Sequence, residues 1–151
     1  MKMDKMKYIE ERNYPKYTDK NSKTLFKGTP TAHPTIIIRT EILKKYQYDT
    51  SLFFSQDIDL WFRLISDGYS IENVNEPLLK YRITDETFLK RNYKKALAEF
   101  RIYCFYLIKL QGFSLMLIYP LLRFMLRLLP AKVIKRFYFS RKRHEVLWHF
   151  E

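Results

Sequence analysis

The stretch Ser55-Gln56-Asp57-Ile58-Asp59-Leu60-Trp61-Phe62-Arg63-Leu64-Ile65-Ser66-Asp67-Gly68 carries the clearest structural signal in the chain. Ser55 suits a helix N-cap, acids fill the first turn, apolar residues recur at helical spacing and Asp67-Gly68 supplies a stop. The pattern predicts a helix over 56–66. On it Asp57 shares a face with Trp61, Leu64 and Ile65, so that face is expected to look into the core. Asp59 precedes Arg63 by four residues, the spacing of a solvated ion pair, and is expected on the outer side. Asp57 then has two readings. It is either a first-turn acid favoured by the helix dipole, an effect of about 0.3–1 kcal/mol, or a general base in a cleft, held ionised by that dipole. Asp57-Ile58-Asp59 also fits a D-x-D metal–nucleotide pattern, but opposed faces argue against both acids gripping one ion.

Working outward, residues up to Pro30 are polar and lysine-rich and read as loop with room for one short helix. Thr35-Ile36-Ile37-Ile38-Arg39 has the β-branched profile of a short buried strand, and Thr40 is an N-cap candidate for a helix through Tyr46. Tyr69–Val74 and Leu78–Ile83 read as strands parted by the turn Asn75-Glu76-Pro77. From Asp85 onward the pattern is helical, punctuated by Gly112, Pro120 and Pro130. The division expected is 1–84 and 85–151.

The 151 residues carry a formal charge of +12, which calls for an acidic partner such as anionic lipid, nucleic acid or a phosphorylated substrate. The single cysteine, Cys104, excludes an internal disulfide framework, and the apolar helical setting makes it core filler. Met1–Lys20 is charged and has no apolar run of the signal-peptide kind, which points to a cytoplasmic setting.

Several short pieces occur in one order: Thr31-Ala32-His33-Pro34-Thr35 with its isoleucines, Tyr46-Gln47-Tyr48-Asp49, Ser55–Leu64, Gly68, and Asn75-Glu76-Pro77-Leu78-Leu79-Lys80-Tyr81-Arg82. Each is weak alone. Together, over about Asn13 to Ile83, the series resembles the second half of family-2 inverting glycosyltransferases, of bacterial surface-polysaccharide type. The resemblance implies an α/β architecture: a partial GT-A (Rossmann-like) domain lacking its nucleotide-binding half, followed by amphipathic helices. It implies hexosyl transfer from a nucleotide-sugar donor to a glycan or lipid-linked acceptor, with Asp57 at the position of the catalytic base. His33, Gln56, Trp61 and Arg82 are the candidate substrate-binding residues, against structural readings of His33 as a hydrogen-bonded turn residue and Trp61 as core. Gln56 stands where the family usually has glutamate. A divalent metal, Mg or Mn, is expected for the complete enzyme, with ligands outside this chain. The donor half, carrying its own D-x-D motif, would precede Lys2 or form a separate N-terminal chain, and without it the chain is expected to be inactive.

The rear of the chain has a different character. From Phe100 to His144 there is no Asp or Glu, against ten Lys and Arg residues. On a wheel of Leu117–Leu129, Arg123 and Arg127 fall on one side and Leu117, Ile118, Leu121, Met125, Leu128 and Leu129 on the other. That is the profile of an interfacial helix whose basic side meets anionic headgroups, hence a peripheral position on the inner face of the cell membrane. An ordinary docked amphipathic helix, a non-catalytic membrane-associated protein and a nucleic-acid-binding protein are the competing readings. No nucleic-acid motif occurs, so nucleic acid is not expected as a partner.

Overall fold

The computed structural model describes residues 12–80, 93–130 and Val133. Among them the order is β1 (Tyr17–Thr18), α1 (Thr24–Lys27), a 3-10 turn (His33–Thr35), α2 (Thr40–Tyr46), α3 (Gln56–Ser66), β2 (Ile71–Glu72), α4 (Tyr93–Gln111), a second 3-10 turn (Leu115–Leu117) and α5 (Ile118–Leu128). Helix and a two-stranded sheet together form a mixed α/β piece.

The bounds of α3 are those the sequence predicts. Its stop is local: the Gly68 N–H donates to Ile65 O at 3.1 Å and the Tyr69 N–H to Leu64 O at 3.0 Å. Gly68 makes this possible at φ +91°, where a side chain would be strained. At the other end Ser55 occupies the N-cap position but sits at φ 62°, and its hydroxyl caps nothing.

α3 is the central element because it is covered on two sides. Ile58, Phe62 and Ile65 pack with Leu25 and Phe26 of α1 and with Ile102, Tyr103, Tyr106 and Leu107 of α4. Leu60, Trp61 and Leu64 meet Ile36, Ile38, Ile42, Leu43 and Tyr46 on the opposite flank. Phe62 stacks on Tyr106 and meets Tyr103 edge-on, both at 5.2 Å between ring centroids. Arg63 ties α2 to α3, donating to Tyr46 O at 2.5 Å and Gln47 O at 2.7 Å.

Two strand expectations are corrected, and a third is only half described. Thr35–Arg39 is not a strand: a 3-10 turn closes at Thr35, and the chain then runs extended with no ladder partner among the described residues. Of Tyr69–Val74 only Ile71–Glu72 pairs, antiparallel to Tyr17–Thr18, a strand the lysine-rich front half did not announce. Residues 78–80 form no strand, and 81–83 lie outside the described residues, as does Arg82. Strands need partners from elsewhere in the chain, and composition alone does not supply them. Asn73 locks the pairing of β1 with β2, its amide donating to Pro15 O at 2.6 Å and Pro30 O at 2.8 Å.

Tyr103 gives the core a pH signature. It is 2 % exposed, and burial pushes its hydroxyl up to about 12, against the pull of the Arg123 guanidinium. In the unfolded chain a tyrosine ionises near pH 10, so stability is complete below that point and falls as pH rises towards the folded value. The loss attributable to this group is roughly 2–3 kcal/mol by about pH 12. Urea titrations at rising pH should show Tyr103→Phe losing stability less steeply than the parent. Equal slopes would mean that Tyr103 titrates normally.

Candidate functional site

Three elements meet around the start of α3. The turn His33–Thr35 begins with Pro34 in its first positions, which fixes the backbone entering it. It holds the His33 ring 6.0 Å from Tyr48 and 6.1 Å from Trp61, centroid to centroid. Trp61 is 3 % exposed, packed in the second core cluster, and its indole N–H is buried without a hydrogen-bond partner. His33 is exposed, so the pair forms a wall with an open histidine and a buried tryptophan. Gln56 is half-buried and its amide donates to Leu52 O at 2.7 Å, fixing the loop that leads into α3.

The two acids of α3 differ, but not in the way the periodicity predicts. Asp59 is the buried one, 7 % exposed, facing α4. Its carboxylate accepts from Arg63 Nε at 2.8 Å and from the Tyr106 hydroxyl at 2.9 Å. The expected Asp59–Arg63 pair therefore forms, yet inside rather than on a solvated surface. The reason is α4, which covers the flank of α3 that a helix considered alone would leave to water. Burial and the bond to Asp59 both push the Tyr106 hydroxyl above the usual tyrosine range, so it stays a donor.

Asp57 lies one turn before Trp61 on the other flank, half-buried. No hydrogen bond or ion pair to a described residue occupies its carboxylate. Its place in the first turn puts it at the N-terminal, positive end of the α3 dipole. Such a group can accept a proton from a hydroxyl brought to it. Neighbouring loops add fixed polarity: Asp49 accepts from the side chain and backbone N–H of Ser51, and those bonds hold its carboxyl below the usual range.

The chain is 36 % identical over 102 residues to an uncharacterised glycosyltransferase of Methanocaldococcus jannaschii, a match spanning 67 % of this chain and 34 % of that protein. It is 33 % identical over 85 residues to an O-antigen biosynthesis glycosyltransferase of Escherichia coli, with 55 % and 33 % covered. It is 32 % identical over 114 residues to an amylovoran biosynthesis glycosyltransferase of Erwinia amylovora, with 72 % and 42 % covered. The chain is related to glycosyltransferases.

These glycosyltransferase relatives include proteins named for polysaccharide biosynthesis. The chain spans about a third of the length of the first of them. No family model and no solved structure matches it. Among the described residues there is no group of three His, Cys, Asp or Glu side chains that could hold a metal ion. Asp59 in particular has one oxygen on Arg63 and the other on Tyr106.

Sequence reasoning missed Tyr106 and the inward role of Asp59. The available signal was Tyr106 itself, a hydroxyl within an otherwise apolar helical face that requires a buried acceptor.

Proposed function

We propose that this chain is the acceptor-side part of an inverting GT-A glycosyltransferase, with Asp57 as the general base. The observation that carries this reading is the contrast between two adjacent acids. Asp59 is fully engaged in holding α3 to α4, while Asp57, one turn from the His33–Trp61 wall, has a carboxylate with no partner among the described residues. The reaction is transfer of a hexosyl group from a nucleotide-sugar donor to a hydroxyl of a growing cell-surface glycan, lipid-linked at the cytoplasmic face. The hydroxyl oxygen attacks the anomeric carbon as the bond to the nucleoside diphosphate breaks. The proton passes to Asp57, because a sugar hydroxyl is too weak an acid to ionise unaided near neutrality. The exposed His33 ring lies where an acceptor would approach, and Gln56 fixes the backbone that presents Asp57.

Donor binding is assigned to the portion of the relatives' length that this chain does not match. One feature fits such a complement. Ile36 and Ile38 pack inward on Trp61 and Leu64, whereas Ile37 between them is fully exposed at 101 %. An extended run with this alternation and no ladder partner among the described residues is the form of a strand edge that another sheet would cover.

The test is a transfer assay with a radiolabelled nucleotide-sugar panel, using the chain alone and the chain mixed with a donor-side segment built from a relative. Transfer is expected only in the mixture, and calorimetry should show no nucleotide-sugar binding to the chain alone. Micromolar binding by the chain alone would place a donor site in these residues and overturn the acceptor-side reading.

A further inference from the structure

The last described helix is docked the reverse of the usual way. An amphipathic helix on a small domain normally turns its leucines in and its charges out. In α5 the charged side is turned in. Glu99 of α4, only 4 % exposed, forms an ion pair with Arg123 at 3.0 Å and is also bonded by Arg127. Arg123 lies over the Tyr103 ring at 5.4 Å, and Phe124 between the arginines stacks on Phe100 at 5.1 Å. Gly28 completes the seat, since a Cβ there would stand 2.8 Å from the Arg123 Nη1. The sequence-based expectation that these arginines meet headgroups is therefore corrected: a carboxylate 24 residues earlier than Arg123 draws them inward.

The consequence is an outward apolar stripe. Ile118, Leu121, Leu122, Met125, Leu128 and Leu129 recur at helical spacing on the opposite side and are 40–52 % exposed. The turn leading into α5 adds Phe113 and Leu115, exposed at 88 % and 95 %. No described helix is long and apolar enough to cross a membrane.

We infer that this stripe is a docking face for an anionic lipid surface, and that Glu99 is the residue that orients it. The partner is set by charge. From Phe100 to His144 the sequence has no acid, and besides the two arginines bound to Glu99 it holds eight more Lys and Arg residues. Among the described ones, Arg101 and Lys109 are exposed. An exposed leucine stripe in an acid-free, basic stretch of sequence matches acyl chains below phosphate headgroups. It matches a second copy of this chain less well, since two chains of formal charge +12 would repel on approach.

The test is co-sedimentation of the full chain with phosphatidylglycerol and with phosphatidylcholine vesicles, at low and high salt. The parent should prefer the anionic vesicles and keep part of its binding at high salt. Leu122→Ser, Met125→Ser and Leu128→Ser together should weaken binding at least about tenfold at both salts, because the salt-resistant part comes from apolar burial. These exposed changes should leave the circular dichroism melt unaltered. Arg123→Gln with Arg127→Gln removes no free surface charge, so the salt dependence of a folded variant should match the parent. Lys109→Gln with Arg101→Gln should lower binding at low salt only, which supplies a charge readout if the first pair fails to fold. The inference falls if the parent ignores both vesicle types, or if the serine variant binds them undiminished. It falls equally if the serine changes convert a dimer to a monomer, or if the basic residues prove to drive oligonucleotide binding with none to lipid.

Discussion

Asp57→Asn is expected to lower turnover of the assembled transferase at least about a hundredfold, the lower end of what losing a general base costs. The amide preserves the size of the side chain at the start of α3 but cannot take a proton. Because no described residue bonds to Asp57, the substitution should leave the melting temperature nearly unchanged. Acceptor KM should move little, and donor KM should be untouched if the nucleotide binds in the complementary portion. The informative quantity is therefore kcat at saturating substrates, with stability as the control. A folded variant retaining more than about a third of parental kcat would take Asp57 out of the proton transfer.

Asp59→Ala should do the opposite: it should strike the fold first. Removing the carboxylate strands the Tyr106 hydroxyl, which is buried, and deprives Arg63 of the carboxylate that it bonds directly. Breaking a buried, hydrogen-bonded charge costs about 3 kcal/mol, and each abandoned buried donor adds to the penalty rather than relieving it. Arg63 keeps its bonds to the Tyr46 and Gln47 carbonyls, which limits the damage to α3 and α4 rather than releasing α2. Tyr106→Phe should cost less, about 1 kcal/mol, since it removes one partner from an acid that still has Arg63. Urea unfolding of the two single variants and the double variant forms a cycle that isolates the Asp59–Tyr106 coupling. A loss below about 0.5 kcal/mol for Asp59→Ala would restore the surface ion pair that the periodicity suggests.

The sequence by itself determined what is local. The bounds of α3 follow from its spacing and from the Asp67-Gly68 stop, whose hydrogen bonds span five residues at most. The N-cap of α2 at Arg39, one residue before the expected Thr40, is a difference of the same local kind. That α5 has two chemically distinct sides was also legible, as was the acid-free basic rear of the chain. The order of the glycosyltransferase-like pieces pointed to the class of relatives that the chain matches. Tertiary structure alone decided which neighbour each face meets. Periodicity shows that a helix has an apolar flank, but not that a second helix will cover the other flank. Asp59 became a buried acid because Tyr106 arrives from 47 residues away. The arginines of α5 point inward because one buried carboxylate, Glu99, outweighs the ordinary preference of leucine for the interior. The isoleucines before α2 had strand composition, yet a ladder needs donors and acceptors from another segment, and the described residues provide none for them.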